Sequence, residues 1–164
     1  MSTSTQPVPP LPSVAADFSA PDLATRPPRS PHVRLGGYVI LPRILDKGRA
    51  TLARKQGAYV YNSGLDKRFF TFVKISADAL LEEISTGKGD GELLAWVTAN
   101  SEHKPSEWEI AYWSEFQGER TATSLKARDY YAKELAKLAP ARIDIATGFD
   151  FLDLDDHVSF GGKA

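Results

Sequence analysis

Residues 26–55 read RPPRSPHVRLGGYVILPRILDKGRATLARK, and this stretch decides the fold. From Arg26 to Pro31 three prolines fix φ and push the residues before them out of helical geometry, so a locked turn is expected. Leu35-Gly36-Gly37-Tyr38 follows as a hinge, since paired glycines adopt backbone angles closed to other residues. A helix is expected from about Leu41 to Lys55, with Pro42 tolerated in the first turn where its missing N–H costs nothing. Leu41, Ile44, Leu45, Gly48 and Leu52 recur at helical spacing, which predicts a buried face. Gly48 in mid-helix costs roughly 1 kcal/mol relative to alanine, so a close helix crossing is expected there.

The charge of this stretch is lopsided. Between Asp22 and Lys55, eight cations (Arg26, Arg29, Arg34, Arg43, Lys47, Arg49, Arg54, Lys55) face Asp22 and Asp46, a local charge of +6 in a chain of formal charge −1. After Ile143 the bias reverses: Asp144, Asp150, Asp153, Asp155 and Asp156 face only Lys163. Two arrangements fit. In one, the two ends attract and Asp153, Asp155 or Asp156 clamps the arginines. In the other, Arg29, Arg34, Arg43 and Arg49 converge with Tyr38 near Gly36-Gly37 on a small anion, whose partners would be guanidinium forks and free backbone N–H groups.

Downstream the pattern stays helical. Leu65, Phe69, Phe72 and Val73 are spaced for a helix over 65–73. Ser76 is placed to cap one over 77–85, which Gly87 closes. The loop Gly87-Lys88-Gly89-Asp90-Gly91 lacks the preceding strand and the Gly-Lys-Ser/Thr ending of a phosphate loop. It reads instead as a helix connection with Asp90 as cap, before a helix over 91–100. Ser106 with Glu109 forms a capping box for a helix over 107–117. In that helix Trp108, Tyr112 and Phe116 recur every four residues, and this stripe is expected to face the core. A sixth helix over 124–138 sets Ala127, Tyr131, Leu135 and Leu138 on one side. Beyond Pro140, the aspartate-rich RIDIATGFDFLDLDDHVSF reads as a short strand or a docked loop.

The 164 residues, 42% of them hydrophobic and 25% charged, fit one soluble globular domain. Without cysteine there is no disulfide, no thiolate metal site and no cysteine nucleophile. A pI near 6.3 argues against bulk nucleic-acid binding. No apolar run is long enough to cross a bilayer, and the start lacks the basic and apolar regions of a secretory signal, so a cytoplasmic protein is expected. Eight of the eleven prolines lie at or before Pro31, which makes residues 1–21 a Pro-rich arm, residues 22–158 the helical domain and residues 159–164 a short tail. The arm rests on the body or on a partner protein. His32, His103 and His157 stand apart, and Asp153–His157 lacks the glycine and distal glutamate of a calcium loop. No metal or cofactor is expected.

The run RSPHVRLGGYVILPRILDKGRATL, followed by GAYVYNSGLDKRFFTFV, resembles a family of small bacterial proteins known as domain of unknown function number 5069. The likeness spans about Asp22 to Asp156 and includes ELLAWV and FDFLDLDD. It implies a compact bacterial domain and brings no activity, so no catalytic residue is carried over.

The reading is therefore an all-α domain of about six helices with a Pro-rich arm. Its first functional reading is a non-enzymatic binding or protein-interaction module anchored on Arg26–Arg54. The alternative is an enzyme or sensor for a phosphate- or carboxylate-bearing ligand, held by Arg29, Arg34, Gly36, Gly37, Tyr38, Arg43 and Arg49.

Overall fold

Helix α1 (Leu41–Leu52) is the axis of the molecule. The computed structural model describes residues 10–164; the first nine residues of the expected arm lie outside them. After α1 come α2 (Asp66–Val73), α3 (Ala77–Ser85), α4 (Asp90–Asn100), α5 (Glu107–Gly118), α6 (Leu125–Leu138) and α7 (Gly148–Ser159). The all-helical expectation holds, with one more helix than the six read from sequence. The stretch taken for a strand or docked loop is α7. Its first turn is closed by a capping box in which Thr147 accepts from the Asp150 N–H and Asp150 accepts from the Thr147 N–H.

Nine of the twelve residues of α1 are buried, so it is covered on both sides. Its apolar side carries Leu41, Ile44 and Leu45, which join Phe69 and Val73 of α2, Leu80 and Ile84 of α3, and Leu93 and Val97 of α4 in one core. Burying each such side chain stabilises the fold by about 1.5–3 kcal/mol. The predicted close crossing at Gly48 is present: a Cβ there would lie 2.7 Å from Ile84 Cδ1 and 3.3 Å from Tyr61.

The entry to α1 is strained. Gly36 and Gly37, at φ +58° and +84°, make a tight turn in which Leu35 and Tyr38 exchange both backbone bonds at 3.0 Å, the pattern that positive φ at both central residues allows. Ile40, fully buried, stands at φ 70° and ψ −37°. The Leu41 N–H bonds back to Val39 O at 2.8 Å, a γ-turn that costs a β-branched residue free energy. Burial of its side chain and the Ile40 N–H bond to Pro31 O at 3.0 Å hold it there.

The aromatic stripe of α5 is a correction. Trp108, Tyr112 and Phe116 are 66%, 61% and 62% exposed, and the side facing the body is Ile110, Trp113, Ser114 and Gln117. Ser114 decides the orientation, because its hydroxyl donates to Gly37 O at 2.8 Å and accepts the Val39 N–H. The buried Val39 N–H needs a polar partner, and α5 is turned so that Ser114 supplies it. Helix α6 has no fully buried residue; Ala127, Tyr131, Leu135 and Leu138, expected on one side, are half-buried, as is Glu134. It packs on α7, with Tyr131 4.6 Å from the Phe151 ring.

The described part of the arm lies on the body. The Ala15 N–H bonds to Ser85 O and Phe18 packs against the core; just beyond the arm, the Leu23 N–H bonds to Lys55 O.

Candidate functional site

The second side of α1 is charged, and its side chains are buried too. Arg43 and Lys47, four residues apart and on one face, are only 4% and 3% exposed. Ions so placed require partners, since desolvating each costs several kcal/mol. The Lys47 ammonium donates to both oxygens of Asp66 at 2.7 Å, to Ser63 Oγ and to Val60 O. Asp66 is wholly buried at the start of α2 and also accepts the Ser63 N–H. Burial pulls the Lys47 pKa below its ordinary value, although Asp66 opposes the shift.

Arg43 reaches the other end of the chain. Its Nη1 donates to Asp156 Oδ2 at 2.7 Å and to Arg29 O at 3.1 Å, and its Nη2 to Asp156 Oδ1 at 3.3 Å. The Tyr59 hydroxyl donates to the same Asp156 Oδ1 at 2.6 Å. The Arg43 guanidinium lies 5.5 Å from the Tyr59 ring centre, within cation–π range. Burial, then the bond to Asp156, pushes the Tyr59 pKa well up. The Phe160 ring is parallel to that of Tyr59 to within 3°, with centroids 6.5 Å apart.

These groups border a cleft of about 680 Å³ between α1, the 57–65 loop and α7. Arg43, Lys47 and Asp156 are at its base, and Tyr59, Leu65, Leu152 and Phe160 contribute apolar walls. Asp155, exposed on α7, also lines it. Burial, then the neighbouring Asp156 and Glu134, raises the Asp155 pKa.

The other residues singled out from sequence are distributed over three places. Arg29 and Arg49 come together on a second carboxylate pair: Arg29 donates to Asp46 at 2.8 Å and to Asp90 at 2.5 Å, and Arg49 to Asp90 at 2.9 Å. Burial lowers the Arg29 pKa, but the bonds to Asp46 and Asp90 outweigh it and hold it above the ordinary value. Asp90 is the first residue of α4 rather than its cap, which is Gly89. Gly36 and Gly37 lie elsewhere, against Leu94 and Ile110. Arg34 is exposed beside them, with Nη1 3.5 Å from Gly37 O. Tyr38 is a core residue, edge-on to Phe69 at 5.4 Å. Arg43 is thus the candidate that borders the cleft, and its clamp with Asp156 joins the two oppositely charged ends of the chain. Lys47 and Tyr59 were not singled out. The i, i+4 spacing of Arg43 and Lys47 was the available signal for the first; nothing local marks Tyr59.

Residues 25–158 match the family described as Domain of unknown function (DUF5069). The match runs through α1 to α6 and all of α7 except its last residue. Compact, all-helical and built on one doubly buried helix, the chain belongs to that family. No curated protein matches it.

Proposed function

We propose that this domain is a non-enzymatic binding module that holds a small organic molecule in the cleft between α1 and α7. One observation carries the reading. The ions at the base are neutralised by one another, Arg43 by Asp156 and Lys47 by Asp66, so they stiffen the cleft while its apolar walls remain available. A cleft of a few hundred Å³ with mainly apolar walls and a few fixed polar groups is the usual form of a small-molecule site. For Arg43, Lys47, Asp66 or Asp156 to exchange a proton, one of these pairs would first have to open, which favours binding over turnover. Arg43 is the fixed reference group, and the Ser63 and Ser159 hydroxyls and the Asp155 carboxylate on the rim orient the ligand. Ligand-observed magnetic resonance with a fragment library tests it. Fragments should bind wild type and lose binding when Ala58→Trp fills the cleft; fragments that bind both proteins equally would remove the reading.

The exposed ridge of Trp108, Tyr112 and Phe116 favours a second reading, a protein-interaction surface. Trp108 and Tyr112 lie 4.5 Å apart, and α5 adds Glu107, Glu109 and Glu115 without a lysine or arginine. Its complement is a basic segment with an apolar stripe. Titration with a basic amphipathic peptide should shift tryptophan emission to the blue in wild type and not in Trp108→Ser. An equal response from an acidic peptide would dismiss it.

A further inference from the structure

A second cavity, of about 340 Å³, lies between α2, the α5–α6 loop, α6 and the first turn of α7. Its chemistry is opposite to that of the cleft. Arg68 and Arg120 both line it, together with Thr121, Thr123, Tyr131 and Gly148, and no aspartate or glutamate is among its lining residues. Neither arginine has a carboxylate within 4.0 Å among the described residues, whereas Arg29, Arg43, Arg49 and Arg142 all do. Arg68 has only a 3.4 Å bond to Gln117 Oε1, and Arg120 lies over the Phe116 ring at 5.9 Å. Both side chains are half-buried. Burial, and then the charge of Arg120, holds the Arg68 pKa below its ordinary value, as desolvation of a cation does.

We propose that Arg68 and Arg120, with the hydroxyls of Thr121, Thr123 and Tyr131, bind a phosphate group, free or as a monoester. Two planar guanidinium forks match the oxygens of a tetrahedral dianion, and the hydroxyls supply further donors. The Gly148 N–H is used by Arg120 O at 3.0 Å, which pins the loop carrying Arg120 to α7. Asp150 caps that helix, so the arginines supply the positive charge and the helix end does not. The volume exceeds that of phosphate alone, leaving space against Leu65, Phe149 and Leu152 for a small ester group. Leu65 and Leu152 line both cavities, but neither arginine lines the cleft, so substitutions of the arginines test this site apart from the cleft reading.

Isothermal titration calorimetry of the full chain, at constant ionic strength, compares inorganic phosphate, phenyl phosphate and chloride. Phosphate or phenyl phosphate should bind, and Arg68→Met and Arg120→Met should each weaken binding about tenfold or more, the loss expected for one charge-assisted donor. Arg34→Met, on another face, should bind as wild type does. Tighter phenyl phosphate assigns the site to esters, and equal or tighter inorganic phosphate assigns it to the free anion. Thermal melting supplies a second readout: with no anion present, each Met variant should melt no lower than wild type, because a repulsion is relieved. Absence of binding beyond chloride in wild type, or binding retained in both Met variants, overturns the proposal. So does a lowered melting point in both variants without anion, which would make the arginines structural.

Discussion

Lys47 and Arg43 sit one turn apart on α1, are buried to the same degree and each face an aspartate at 2.7 Å, yet their surroundings differ. Asp66 lies 19 residues from Lys47 in sequence and is sealed, and Ser63 and Val60 take the remaining ammonium contacts. Asp156 lies 113 residues from Arg43, shares its oxygen with Tyr59 and borders the cleft. The first pair is closed by a short loop and fully desolvated. The second is held by a distant helix and has water within reach. Both cations line the cleft, but only the carboxylate of the second pair does so too, so that pair is the one whose anion can respond to what occupies the cleft.

The sharpest way to break this comparison is to remove each cation. Lys47→Met should destabilise the fold by about 3–5 kcal/mol, because a sealed carboxylate is left unpaired, and urea denaturation measures it. Adding Asp66→Leu should recover much of that loss, since an apolar pair can replace a buried ion pair at little cost. Arg43→Met should cost less, about 2 kcal/mol, since Asp156 keeps the Tyr59 bond and gains water from the cleft. If the two single variants are equally destabilised, the distinction fails.

Tyr59→Phe removes one donor to the Asp156 carboxylate and should cost about 1.5 kcal/mol, measured by the same denaturation.

The Arg29–Asp90–Arg49 group adds a pH-dependent term. Burial raises the Asp90 pKa, but bonds from both arginines outweigh it and hold it below the ordinary carboxylate value. With the folded pKa below the unfolded one, the stabilisation is complete above about pH 4 and is lost as pH falls through the folded value. Asp90→Asn should therefore lose less stability than wild type between pH 5 and pH 3, a range chosen around that carboxylate value; parallel acid-denaturation profiles would show that the group contributes nothing.

The smallest effect is expected at α5. Trp108→Ala, which a core-facing stripe would make costly, should change stability by less than about 0.5 kcal/mol, as for an ordinary surface site. A loss of several kcal/mol would show that the ridge is covered.

Where the sequence was legible, apolar spacing and packing agreed. The face Leu41–Ile44–Leu45–Gly48–Leu52 is read directly from its period, and the caps at Ser76 and Ser106 from single residues whose side chains make the expected bonds. Helix α7 escaped notice because four aspartates among twelve residues speak against a helix interior; its Thr147–Asp150 capping box was the signal available. The α5 stripe misled for another reason. Apolar periodicity marks a face without saying whether the body offers it apolar or polar surface, and here the body offers the backbone of the glycine turn. The pairing of Arg43 with Asp156 was foreseen only as attraction between opposite ends, because no local pattern selects one aspartate among several.

The 113 residues between Arg43 and Asp156 also have a consequence for synthesis. As the chain leaves the ribosome, Asp66 follows Lys47 closely, so the sealed pair can form while the first helices collect. Asp156 emerges only with α7, the last of the described helices. Until then Arg43 has no carboxylate and the cleft lacks its α7 wall. Arrival of α7 closes the clamp, supplies Leu152 and Phe160 and completes the cleft in a single event. A nascent chain stalled before α7 would leave Arg43 without its counterion beside an uncovered apolar wall, a fault that quality-control proteases can detect as local instability.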